Sequence, residues 1–198
     1  MKNSTFYSQM EVFKSLGYKL NEGITKEIIF EDIGLEEEFE ESEYEFLYQC
    51  LGSYNAIAHQ YNTNNCILYD IEFLDPSSEY IEFMKRMGVI SNGELVFSDI
   101  SLFVDDADYE WIDFKVNGVH KKWKLEKVGY ISDSFFQRFS YLPKEFGTKG
   151  KYTFYSDGGQ QFVIDYATEE MQKLFIKTTG IKREWLGEGG HFSEPSDY

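Results

Sequence analysis

Trp111-Ile112-Asp113-Phe114-Lys115-Val116-Asn117-Gly118-Val119-His120-Lys121-Lys122-Trp123-Lys124 decides the fold. Asn-Gly between two alternating runs is the strongest short hairpin signal, because the two-residue type I′ turn needs positive φ at both central positions. Such a loop sets Val116 opposite Val119, Phe114 opposite Lys121 and Ile112 opposite Trp123. On the other face Asp113 meets Lys122 and Trp111 meets Lys124, an ion pair and a cation over an aromatic ring. A slip of one residue would turn every side chain to the wrong face, so the register is a specific expectation.

Downstream, Ser132 or Asp133 caps a helix carrying Phe135, Phe136, Phe139 and Leu142, which Pro143 should end or kink. A second hairpin follows, 151–156 with 160–166, turned by Asp157-Gly158-Gly159. A three-residue loop sets Phe154 against Phe162 and Tyr152 against Ile164. Thr168 then caps a helix with Glu169 and Glu170 in its first turn, inward-facing Met171, Leu174 and Phe175, and Gly180 at its close. The order ββαββα predicts an α+β fold, an antiparallel sheet built from hairpins and covered by helices.

Upstream the signals are mostly helical. Phe6, Met10, Phe13 and Leu16 recur at helical spacing before Gly17. Residues 36–52 read as a second helix, with Phe39, Tyr44, Leu47, Tyr48 and Leu51 on its apolar side and glutamates over much of the rest. Residues 53–65, with Asn55, Asn62, Asn64 and Asn65, read as a loop, and 66–73 as a buried strand. Asp75 and Pro76 open another helix, with Tyr80, Ile81, Met84 and Met87 inside and Gly88 at its end.

The 198 residues are 42% hydrophobic and 18% aromatic, ample for a folded core without disulfides. The net charge is −16, a field that repels phosphate backbones and argues against direct nucleic-acid binding. Residues 1–100 hold 19 acids and 6 bases, whereas 101–198 hold 16 and 13. That contrast suggests an acidic, helix-rich lobe over 1–104, a hairpin-helix-hairpin-helix lobe over 105–188 and a flexible tail over 189–198, with both lobes packed as one body. No apolar run is long enough for a membrane helix, and the N-terminus lacks the apolar core of a signal peptide, so the expected compartment is the cytoplasm.

Catalytic and cofactor motifs are missing from the sequence. His59, His120 and His191 lie far apart, without HExxH or CxxC spacing. Cys50 and Cys66 read as buried apolar side chains. A calcium loop started at Asp106 puts Trp111 where glycine is required and Asn117 where a bidentate glutamate is required. There is no GxxxxGK[ST], GxGxxG after a strand, or GxSxG. No catalytic, metal or cofactor residue is expected on these grounds.

Residues 16–27, Phe97-Ser98-Asp99-Ile100, Trp111-Ile112-Asp113-Phe114 before Asn117-Gly118, Asp157-Gly158-Gly159-Gln160-Gln161, and Thr178-Thr179-Gly180 through Trp185-Leu186 form an ordered set. In that order they resemble an uncharacterised family of small, acidic bacterial cytosolic proteins. The second half is also similar to immunity proteins of bacterial polymorphic toxin systems. That resemblance implies a noncatalytic protein-binding module that neutralises a basic toxin domain by electrostatically steered occlusion. Glu37, Glu38, Glu41, Tyr44, Glu45, Tyr48, Tyr54 and Tyr61 are the candidate partner-binding residues, acids for steering and tyrosines for anchoring. The alternative is an enzyme or small-ligand binder with its site at Asp157, Gln160 and Gln161.

Overall fold

The structure, a computed structural model, describes residues 5–33, 39, 43–70, 76–126 and 132–188, apart from the side chains of 76–78. In chain order the elements are α1 (Phe6–Ser15), α2 (Lys26–Ile33), α3 (Glu45–Gly52), β1 (Tyr54–Asn55), β2 (Gln60–Tyr61), β3 (Cys66–Asp70) and α4 (Pro76–Ile90). There follow β4 (Phe97–Val104), β5 (Glu110–Val116), β6 (Val119–Lys124), α5 (Asp133–Phe146), β7 (Lys151–Ser156), β8 (Gln161–Ala167), α6 (Glu169–Thr179) and β9 (Glu184–Trp185). The fold is α+β with antiparallel sheets, and the second half runs ββαββα from β5 to α6.

The chain divides into two compact units, Met1–Tyr69 with Thr153–Arg183, and Asp70–Tyr152 with Glu184–Tyr198. They interleave along the sequence, unlike the 1–104 and 105–188 division that charge suggested. The first unit holds 16 acids and 8 bases and the second 19 and 11, a net −8 in each. The charge contrast between sequence halves therefore does not follow the packing. The 189–198 tail lies outside the described residues.

In the first unit, strands run in the order β3, β8, β7. Phe6, Met10 and Phe13 of α1, Leu47, Tyr48 and Leu51 of α3, and Phe175 of α6 share one buried cluster. Thr5 caps α1 by accepting the Ser8 amide, and Gly17 follows the helix at φ +94°. Thr168 caps α6 by accepting the Met171 amide, and Gly180 closes it in the left-handed region. The Phe154 and Phe162 rings lie tilted with centroids 5.2 Å apart, and residues 157–160 separate β7 from β8.

In the second unit β4, β5 and β6 form an antiparallel sheet. The β5–β6 register is the expected one, from Val116↔Val119 to Trp111↔Lys124. Asn117 and Gly118 turn it at φ +49° and +79°. The buried face carries Ile112, Phe114 and Val116. Aromatic rings from three elements meet there: Phe97, Trp123 and Tyr152 each lie within 6.0 Å of Phe139 on α5. Partners on the outer face are shifted diagonally. His120, not Lys122, meets Asp113, with Nε2 2.9 Å from both carboxylate oxygens. Lys122 sits 4.2 Å from the Trp111 ring centroid, and Lys124 is 3.4 Å from that of Tyr109. Strand twist and long side chains favour such diagonal contacts over direct ones.

Several boundaries differ from expectation. Tyr44 has φ +69° immediately before α3, so no continuous helix joins 36 to 52. Residues 53–65 contain the β1–β2 ribbon, pairing Tyr54 with Tyr61 and Asn55 with Gln60. Strand β4 escapes the alternation rule because a register shift falls between Ser98 and Ser101, where Asp99 has φ +52°. Helix α4 continues past Gly88, where a Cβ would lie 3.1 Å from the Phe97 ring, so glycine there admits β4. Helix α5 likewise passes through Pro143 and ends at left-handed Gly147. Asp75 is outside the described residues.

Candidate functional site

The β1–β2 ribbon of the first unit presents apolar side chains from a polar stretch. Tyr54 is 52% exposed and Ile57 45%, while Tyr61 is half-buried. The two tyrosine rings meet edge to face at 5.5 Å. Asparagines of the same stretch fix the backbone beneath them. Asn55 is fully buried; its Oδ1 accepts the Ile57 and Ala58 amides, and its Nδ2 donates to the Ile28 carbonyl. Asn62 Nδ2 donates to the Cys50 carbonyl at 2.8 Å, and Thr63 Oγ1 to that of Lys19 at 2.7 Å. Short polar side chains suit this work because they mimic backbone turns.

One acid is held against the ribbon: Asp32 Oδ1 accepts the Ala56 amide at 3.1 Å. Gln60 Nε2 donates to the backbone carbonyl of Glu22 at 2.8 Å. At the tip, His59 has φ +52°, in the left-handed region that few non-glycine residues occupy. The result is a pre-ordered aromatic–aliphatic platform, which lowers the entropic cost of binding.

The candidates named from sequence fall into separate places. Tyr54 and Tyr61 come together on the ribbon. Tyr48 is completely buried and stacks on Phe13 at 6.0 Å, so it is core rather than anchor. Helical spacing alone could not separate the two roles, because the same stripe that could face a partner faces the core. Tyr44 is half-buried, with its ring 6.2 Å from that of Phe13. Glu45 is exposed and interacts with Tyr155, whose pKa is raised by burial and by Glu45. Glu37, Glu38 and Glu41 lie outside the described residues. Ile57 and Asp32 were missed; the available signal was a lone isoleucine in a polar stretch.

At the second hairpin, Asp157 Oδ1 accepts the Gly159 amide at 2.8 Å and Oδ2 accepts Gln49 Nε2 at 3.2 Å. Turn formation thus accounts for the aspartate, and Gln160 and Gln161 are exposed beside it. Asp105 has a similar structural duty: Oδ1 accepts the Ala107 and Tyr109 amides and Oδ2 the Trp111 indole N–H. The bonds from Tyr109 and Trp111, with that from Ala107, hold its carboxyl below the usual carboxylate range. Among the described residues no group of three or more His, Cys, Asp and Glu is arranged to hold a metal ion. Cys50 and Cys66 are free and buried. No helix among the described residues is long and apolar enough to cross a membrane.

Compared with models of protein families, with curated proteins and with solved structures, the chain matches none.

Proposed function

We propose that this chain is a noncatalytic protein-binding module that engages a basic partner through the β1–β2 ribbon. The supporting observation is exposed Tyr54 and Ile57 with half-buried Tyr61, on a backbone pinned by buried asparagines and with the Asp32 carboxylate beside it. Tyrosines contribute large contact area with few rotatable bonds, which makes them effective anchors. The −16 net charge adds long-range attraction toward a cationic protein and accelerates encounter. In the finer reading the partner is a basic bacterial toxin domain and the chain its cytoplasmic immunity protein. The excess of acid supports that reading.

Affinity capture from the native host tests it. Tagged wild type should retain a specific basic protein, less strongly as salt is raised. The triple variant Tyr54→Ala, Ile57→Ser, Tyr61→Ala should lose that protein while keeping the wild-type melting temperature. Recovery of no selective partner at low or physiological salt overturns the proposal, as does undiminished capture by the folded triple variant. Rescue of growth against the captured protein by co-expression distinguishes an immunity role from other binding.

A further inference from the structure

A separate feature lies in the second unit, away from the ribbon in sequence and in chemistry. Residues at and just before the start of β5, the end of β6 and just beyond it, and α5 line an open cleft of about 430 Å³. Its walls carry Tyr109, Lys124, Arg138, Asp108, Glu110 and Glu126. That volume falls in the range of about 300–1,000 Å³ usual for small-molecule sites.

Arg138 is the distinctive member. It is partly buried, and its Nη1 donates to the Lys124 carbonyl at 2.7 Å. Its guanidinium carbon lies 5.7 Å from the Trp123 ring centroid. Among the described residues no carboxylate stands within ion-pair distance of it, and its other N–H groups have no protein acceptor. A partly desolvated guanidinium with an open fork matches a carboxylate in two parallel hydrogen bonds. Burial lowers its pKa, with Glu126 and Tyr80 acting in the opposite sense.

The acids narrow the choice. Asp108, Glu110 and Glu126 line the same cleft and would repel a dianion such as phosphate, whereas an ammonium group on the ligand would be welcome. Glu126 is fixed by the Ser134 hydroxyl at 2.8 Å. Asp133, the first residue of α5, has its carboxyl pKa raised by burial and by Glu126, which marks the concentration of negative charge. Tyr109, 47% exposed, offers an apolar wall, with Lys124 against its ring. We propose that this cleft binds a small zwitterion of the amino-acid or short-peptide class, its carboxylate on Arg138 and its ammonium toward Glu110 and Glu126.

Titration of the full chain with the twenty amino acids, Gly-Gly and Gly-Gly-Gly, followed by amide chemical shifts and calorimetry, tests this. At least one should saturate in the range of about 1 mM or tighter, with shifts concentrated at Tyr109, Lys124, Leu125 and Arg138. N-acetylation and C-terminal amidation of the best binder should each weaken it at least tenfold. Arg138→Gln should do the same, and Arg138→Lys less. Saturation of none of them, equal binding of the amidated form, or displacement by inorganic phosphate overturns the proposal. If Arg138→Gln does not fold, the amidated and acetylated ligands still decide the matter on wild type.

Discussion

Arg183 Nη1 lies 2.5 Å from Asp165 Oδ2 in the first unit, with side-chain exposures of only 2% and 6%. The pair is embedded in further polar contacts. Tyr18 donates its hydroxyl proton to Asp165, and the Tyr48 hydroxyl does so at 3.3 Å. Gln172 Nε2 donates to the Arg183 carbonyl at 2.7 Å, while its Oε1 receives Arg183 Nε. The guanidinium carbon also lies 3.7 Å from the Phe175 ring centroid. Burial opposes the Arg183 charge, but the Tyr18, Asp165 and Tyr48 oxygens outweigh it and raise the pKa. One charge pair thus joins the segment after α1, α3, β8, α6 and the segment after α6.

Removing one partner leaves the other charged, buried and alone. Asp165→Ala should therefore cost about 3–5 kcal/mol, read as a drop in the urea midpoint. The double variant Asp165→Leu, Arg183→Met should lose much less than the two single variants together, because no charge is stranded. A loss below about 1 kcal/mol for Asp165→Ala would mean that the pair carries little of the unit's stability.

Gly52 ends α3 against β3. A Cβ there would come 2.5 Å from the Leu68 amide nitrogen and 2.8 Å from the Ile67 carbonyl carbon, both backbone atoms that cannot rotate away. Helix propensity alone favours Gly52→Ala by about 1 kcal/mol. The steric conflict should reverse that sign and destabilise the protein by about 1–3 kcal/mol. Chemical denaturation decides between the two signs directly.

Asn117 does more than permit a turn. Its Oδ1 accepts the Val96 amide at 2.8 Å and its Nδ2 donates to the Glu94 carbonyl at 2.9 Å, tying the β5–β6 turn to the approach to β4. Asn117→Gly keeps the positive φ and removes both bonds; Asn117→Ala removes both and adds backbone strain. Losses of about 1 and about 2–3 kcal/mol are expected in that order. Amide exchange at Val96 should accelerate in both variants.

The β5–β6 hairpin was legible because turn chemistry, alternation and register are all local. So were the Thr168 and Gly180 boundaries of α6. Strand β4 was not, since its bulge breaks the period of two and its role depends on pairing with residues further along the chain. The interleaved units were also hidden: contacts such as Tyr18 with Asp165 span 147 residues and leave no periodic trace. For the candidate ribbon, Tyr54 and Tyr61 were found, but the exposed platform required knowing that Asn55 and Asn62 are buried. The Arg138 cleft had no local signature, because its members lie in or beside β5, β6 and α5.

Alkaline titration probes the buried tyrosines. Burial, with the negative charge of Asp165, raises the pKa of Tyr18 and Tyr48, and burial pushes Tyr80 from 10.0 to about 12. These phenols stay protonated in the folded chain at pH values where the unfolded chain has released its protons. Their contribution to stability is whole below pH 10, falls as pH rises above it and for Tyr80 is gone beyond about 12. An unperturbed tyrosine ionises near pH 10, which absorbance follows directly. The buried set should ionise later, in a steeper step that coincides with loss of near-ultraviolet circular dichroism. In Tyr80→Phe, which keeps the ring against Phe135 but cannot ionise, stability should fall less between pH 10 and 12. An unchanged pH dependence in that variant would show that Tyr80 is not among the groups whose ionisation opens the second unit.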